Sequence, residues 1–273
     1  MRCLRLFLAL VAAITLTGCF QSTTVIKVNG NGSGTIDQRM LMTGVALAQI
    51  RALAAFGSGN GKDLDPISED QARTAAASLG PGVSYVSSTL LKSGDAQGRA
   101  IVYAFSDINQ LRISQQPPAP GGVSFRAQGI GTDDGQAITF ALARQANGNM
   151  LLRIRVPQPN TAPAAAEPSP QGTTAAASSP EQIAMIKQLL AGAHLSIAVE
   201  PAGRLVRTSS PFIEGPRVTL LDLDFDQVTN DPAVLSRLQG VKSLDDAKSA
   251  LKGVPGVKID LDPEITIEFT SDK

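Results

Sequence analysis

Residues 23–42 read TTVIKVNGNGSGTIDQRMLM, and the fold turns on this stretch. Two β-prone runs flank Asn29-Gly30-Asn31-Gly32, a cluster whose residues tolerate the positive φ that a tight hairpin needs. The pattern predicts a β-hairpin. Gly30, Gly32 and Gly34 stand between two strands rather than ahead of a helix, so a turn accounts for them and a dinucleotide site does not.

Working toward the C-terminus, the run 45–56 places Leu47, Ile50, Leu53 and Ala54 at helical spacing with only Gln49 and Arg51 polar, which predicts a largely buried helix. Ser68 stands three residues before Gln71, a capping-box pattern that opens a second helix running to about Leu79, where Gly80-Pro81-Gly82 stops it. VSYVSSTLLK and RAIVYAFS then read as paired strands, with Ile101, Tyr103 and Phe105 on one face. A short helix after Ser106 leads to further strands, among them the hairpin ITFALARQANGNMLLRIRV around Asn147-Gly148-Asn149. There Leu152, Ile154 and Val156 alternate with Arg153 and Arg155, as in a sheet with one buried and one wet face.

The chain divides at 157–180, PQPNTAPAAAEPSPQGTTAAASSP, with six prolines, seven alanines and one charge, Glu167. Proline removes backbone donors and the small side chains offer little to bury, so a disordered or extended linker is expected. Beyond it, Ser179, Pro180 and Gln182 open a helix through Ala191. HLSIAVE follows as a strand that turns at Pro201-Ala202-Gly203 into RLVRTS, and RVTLLDLDFD is a third. Helices opening at Asp231-Pro232 and Ser243 precede VKIDLDPEITIEF, a half-buried strand interrupted at Pro263. The expectation is an α+β fold, a mostly antiparallel sheet with packed helices, interrupted by the Pro/Ala-rich segment. Its divisions are a lobe over 23–156, the linker 157–180, and a lobe over 181–273 that completes the same domain.

At the other end, Arg2 and Arg5 precede an apolar run of about twelve residues, the length of a signal-peptide core. Spanning a bilayer takes roughly 20. The run ends at Leu16-Thr17-Gly18-Cys19, which resembles the lipobox of bacterial lipoproteins. That resemblance implies a signal peptide over 1–18, cleavage before Cys19, acylation of the Cys19 sulfur, palmitate-type chains included, and a short tether over 19–22. Two or more acyl chains hold a protein to a membrane durably. Cys3 falls in the discarded segment, so the mature chain holds no pair of cysteines for a disulfide.

With Arg2 and Arg5 gone, 22 basic residues face 24 acidic ones, and the chain has no Trp and two Tyr. Nucleic acid, which calls for a basic surface with stacking aromatics, is not an expected partner. The order of hairpin, helices, GVSYVSSTLLKSGDAQGRAIVYAF and HLSIAVEPAGRLVRTSSPFIEGPRVTLLDLDF is similar to the mycobacterial LppM lipoproteins and related bacterial lipoproteins over most of residues 23–226. The resemblance implies one envelope-facing α+β domain with the linker as a surface insertion, and it supplies no catalytic residue. The tail after Val228 lies outside it.

Chemistry is sparse. Asp222, Asp224 and Asp226 fall at i, i+2 and i+4, one face of a strand, where three carboxylates could hold Ca²⁺, and Asp260 and Asp262 repeat the spacing. A calcium loop wants acids on a turning backbone with glycine; Leu and Phe in strand rhythm predict a solvated sheet face instead, and no metal or cofactor is assigned. Gly57 to Lys62 fails as a phosphate loop, since Phe56 stands where its first glycine belongs and Asp63 follows the lysine. His194 is the single histidine, placed where a helix ends and a strand begins, and no G-x-S-x-G elbow accompanies it. The sequence therefore predicts no enzyme. It predicts a membrane-anchored envelope lipoprotein, attached through lipidated Cys19, with a non-catalytic binding or scaffold role toward an envelope protein. The alternative is an anchored carrier that shields a lipid or other apolar ligand beneath the 45–56 helix. Phe20 stands after the cysteine where enterobacterial lipoproteins kept at the inner membrane have an aspartate, so the resemblance to lipoproteins implies the outer membrane facing the periplasm in a cell that has one, the outer face of the plasma membrane being the other location.

Overall fold

In the computed structural model the described residues are 20–44, 47–48, 68–114, 137–156, 192–231, 233–234, 237, 244–260 and 262–271. Cys19, the linker, the helix expected over 180–191 and all but Leu47 and Ala48 of the helix expected over 45–56 lie outside them. Leu47 is buried against Met42 and Phe20.

The opening stretch is the predicted hairpin. Strand β1 (Phe20–Val28) pairs antiparallel with β2 (Gly34–Met42), from Phe20 opposite Met42 to Val28 opposite Gly34. Asn29 N donates to Ser33 O at 2.8 Å, and the positive φ of the turn falls on Gly32 alone, at 87°. Helix α1 (Glu69–Ser78) has the expected capping box: the Ser68 hydroxyl accepts from Gln71 N, and the Gln71 side chain accepts from Ser68 N. Its buried residues, Ala72 and Ala76, sit against the sheet. There the Tyr103 hydroxyl donates to Ala72 O at 3.0 Å, and burial pushes its pKa up to about 12, so it stays a donor.

Strand β3 (Val83–Ser93) turns through Gly94 and Asp95 into β4 (Ala96–Phe105), with a bulge between Tyr85 and Ser87. A 3₁₀ turn (Ile108–Gln110) leads to β5 (Arg112–Ser114), and the second predicted hairpin is β6 (Ala137–Arg144) with β7 (Met150–Arg155). Then come β8 (His194–Pro201), β9 (Leu205–Thr208), β10 (Ile213–Glu214), β11 (Arg217–Asp224), helices α2 (Phe225–Asn230) and α3 (Leu244–Leu251), β12 (Val257–Ile259) and β13 (Glu264–Phe269).

These strands form two sheets. The larger, of eight strands, runs β10-β11-β8-β1-β2-β4-β3, with β12 on the same edge of β11 as β10; the smaller runs β5-β6-β7-β13-β9. All pairings are antiparallel except β1 with β8. Strands from either side of 157–180 thus share both sheets, β8 beside β1 in one and β13 beside β7 in the other. The molecule is mostly β with few short helices. Helix α1 and the facing side chains of both sheets form one core, in which Ile26, Val28, Leu152, Ile154, Ile265, Ile267 and Phe269 are fully buried. Burying a side chain of this size contributes roughly 1.5–3 kcal/mol.

Two expected strand runs divide between sheets. HLSIAVEPAGRLVRTS is not a hairpin: β8 lies in the large sheet and β9 in the small one, and the chain crosses at Ala202 and Gly203. A Cβ on Gly203 would stand 1.6 Å from Thr270 O, so only glycine permits this crossing. VKIDLDPEITIEF splits likewise into β12 and β13, with Pro263 between. Each half shows the same alternation, so period alone cannot say that its interior belongs to two sheets.

Candidate functional site

The aspartates singled out in the sequence separate by role. β11 ends at Asp224 and α2 begins at Phe225, so Asp226 is helical and the three carboxylates share no strand face. The Asp224 carboxylate caps α2, accepting from Asp226 N at 3.0 Å and Gln227 N at 3.3 Å, while Asp226 accepts from Gly192 N at 2.6 Å. Asp222 meets His194 Nε2 at 2.7 Å and Lys258 Nζ at 3.8 Å. Asp260 is buried, with one oxygen accepting from Asp262 N. Asp222, Asp224 and Asp226 are each committed to structural partners, the second oxygen of Asp260 is buried with no hydrogen-bond partner, and among the described residues no group of three His, Cys, Asp or Glu is placed to hold a metal. His194 opens β8 and pairs with Asp222 across the sheet. Sequence order hides that pairing, because 28 residues separate the two.

A different cluster stands on the outer face of the small sheet. The inward alternation of Ile138, Phe140, Leu152, Ile154, Ile265 and Ile267 forces their neighbours outward. The registers then align Arg112, Thr139, Arg155 and Glu264 in one row across β5, β6, β7 and β13, with Ala141 and Arg153 in the next. Together with Asn109 and the edge of Phe140 they line an open groove of about 280 Å³. Asn109 is fixed from both sides: its Nδ2 donates to Asp107 and its Oδ1 accepts from Leu142 N at 2.8 Å, which ties the 3₁₀ turn to β6.

The groove's electrostatics are lopsided. Glu264 lies 3.5 Å from Arg155 Nε and 3.9 Å from Arg153 Nε, and both arginines are more than half exposed. Arg112 Nη1 donates to the carbonyls of Leu111 at 2.9 Å and Asn109 at 3.2 Å, not to an acid. Two guanidiniums therefore share one carboxylate, and a third stands in the groove without an acid among the described residues. Planar forks on a rigid sheet suit the oxygens of a phosphate or carboxylate, and the groove's volume, at the small end of ligand sites, suits one such group rather than an acyl chain.

Farther along the same face the charge is closed off. Glu268 is buried at 3% exposure, and its carboxylate accepts from Asn149 at 2.7 Å, from Asn147 at 2.9 Å and from Arg207 Nε. Those bonds, the two asparagines first and then the arginine, hold its pKa down at about 2. The β6–β7 turn repeats the first hairpin's geometry: Gln145 N donates to Asn149 O at 2.8 Å, as Asn29 N does to Ser33 O, and the positive φ falls on Gly148. The second turn adds two amides aimed at Glu268, joining it to β13.

Sequence reasoning placed Arg153 and Arg155 on a wet face but did not assemble the groove. The signal available was their i, i+2 spacing; Arg112 and Glu264 join them only through strand order.

No protein-family model and no curated protein matches the chain. Among solved structures it is similar to the folded domain of the LppM protein of Mycobacterium tuberculosis, determined by NMR, at 11% sequence identity and a TM-score of 0.31, covering 94% of this chain and 92% of that one. This is the family whose element order the sequence resembles. A likeness at that level transfers no residue role. No helix among the described residues is long and apolar enough to cross a membrane.

Proposed function

We propose that this chain is a lipid-anchored protein of the bacterial cell envelope with a non-catalytic binding role, and that it binds an anionic group, phosphate or carboxylate, in the groove of the small sheet. The observation that carries the reading is the arginine excess among the described residues: Arg112, Arg153 and Arg155 around Glu264. The anchor rests on Arg2, Arg5, the apolar run and Leu16-Thr17-Gly18-Cys19, and Phe20 favours the outer membrane, facing the periplasm. Phe20 and the groove lie at opposite ends of β1: Phe20 opens the strand, whereas Ile108 N, beside the groove, donates to Gly32 O past its far end. At about 3.3 Å per residue that is a separation of roughly 27 Å. The carrier alternative is placed beneath the 45–56 helix, nearly all of which lies outside the described residues; the polar groove supports binding at the surface.

Titration of the purified protein with inorganic phosphate, pyrophosphate and acetate, followed by calorimetry, tests the site. Saturable binding is expected, weakening at least tenfold in Arg153→Gln/Arg155→Gln, since the loss of even one hydrogen bond to a charged group costs about 1.5–3 kcal/mol, and weakening further as salt rises. Binding that ignores the double substitution, or no binding at all, overturns the assignment. The anchor has its own test: Cys19→Ala should lose the acyl mass and move the protein out of the membrane fraction.

A further inference from the structure

We infer that β3 is a self-association edge, through which a second copy of this chain extends the large sheet by antiparallel pairing. The other strands at sheet margins are short: β10 has two residues, β5 and β12 three each, and β9 four. β3 has eleven, pairs among the described residues with β4 alone, and carries no proline and one charge, Lys92. A long, nearly uncharged margin is a template for another strand unless something guards it. The bulge between Tyr85 and Ser87 guards the first part by breaking the register; from Ser87 to Ser93 the ladder to β4 is regular. Two of the four exposed large apolar side chains among the described residues, Val86 at 55% and Leu90 at 58%, belong to this strand.

The occupant follows from complementarity of the strand with itself. In an antiparallel pair centred on Leu90, the residue numbers of opposed positions have a constant sum, so Leu90 meets Leu90, Thr89 meets Leu91, Ser88 meets Lys92 and Ser87 meets Ser93. The two exposed leucines cover each other at the two-fold axis. Lys92 of each copy arrives beside Ser88 of the other, whose hydroxyl accepts from Tyr85 Oη at 2.8 Å. Each lysine thus opposes a hydroxyl, one that also accepts from Arg99 Nη1 at 2.8 Å, and not another lysine. A strand that opposed Leu90 with a charge, or Lys92 with another lysine, would lack this match.

Cysteine cross-linking of the full chain in its own membranes tests the register. Opposed residues of an antiparallel pair lie about 4.5–5.5 Å apart at Cα, within disulfide range. Under mild oxidation Leu90→Cys should give a reducible dimer well above the wild-type level, whereas Ser84→Cys, upstream of the bulge, should not. Leu90→Lys, an exposed position where the fold has little to lose, puts two lysines at the axis and should weaken the dimer at least tenfold in sedimentation. A monomeric wild type, equal cross-linking at positions 84 and 90, or a dimer indifferent to Leu90→Lys overturns the inference. None of these readouts involves the arginine groove.

Discussion

The outer faces of the two sheets follow the same alternation and dispose of charge differently. On the large sheet, Lys27 meets Asp37 at 2.7 Å, Arg217 meets Glu200 at 3.2 Å, and Asp222 takes both His194 and Lys258. Each of these carboxylates has a cation across the strand, and the bond to Asp37 raises the Lys27 pKa. On the small sheet Glu264 is divided between two arginines and a third turns to backbone carbonyls. Pairing across strands makes the first face a finished surface. The second is left with cationic donors for an anion from outside, and that is why the ligand site is placed there and not at the more conspicuous run of aspartates.

Four substitutions would break or sharpen this contrast. The largest effect should come from the core that both faces share: Phe269→Ala removes a fully buried ring on β13 and should cost about 3–5 kcal/mol in urea unfolding, as a single loss if the sheets unfold together. Two separate transitions would show that the faces belong to independent units. Gly203→Ala, at the crossing between sheets, should cost about 1–3 kcal/mol, because the new Cβ collides with the Thr270 backbone and not with a movable side chain.

Glu268→Gln should show itself mainly in acid. The Glu268 pKa is lowered from 4.5 to about 2 in the folded protein, so its contribution is complete above pH 4.5 and lost as pH falls toward 2. Thermal midpoints of the wild type should therefore drop more steeply across that window than those of the variant. Equal slopes would mean that the asparagine and arginine bonds do not hold the carboxylate. The smallest effect is expected at Arg217→Gln, on the finished face: at most about 0.5 kcal/mol in stability and no change in anion binding. A loss of binding there would erase the distinction between the two sheets.

Much of this was legible in the chain itself, because local rules govern it. The hairpins at Asn29 and Asn147, the Ser68 capping box and the inward Leu152-Ile154 alternation depend on residues within a few positions of one another. The misreadings lie where partners are remote. Asp226 left the strand because Asp224 caps a helix, a choice that the β-like rhythm of Leu223 and Phe225 conceals. Pro201-Ala202-Gly203 has the composition of a hairpin turn but joins two sheets, since Thr270, 67 residues beyond Gly203, occupies the space beside it.

The sequence by itself determined the strands and their inward faces, set by periodicity and turn chemistry. Only the tertiary structure decided which strands are neighbours: β8 parallel to β1, β13 between β7 and β9, and Arg112 in one row with Arg155 and Glu264. The reason is physical. Alternation fixes which side of a strand is buried, but strand order is chosen by how two whole sheets close over one core, and no short stretch of chain carries that information.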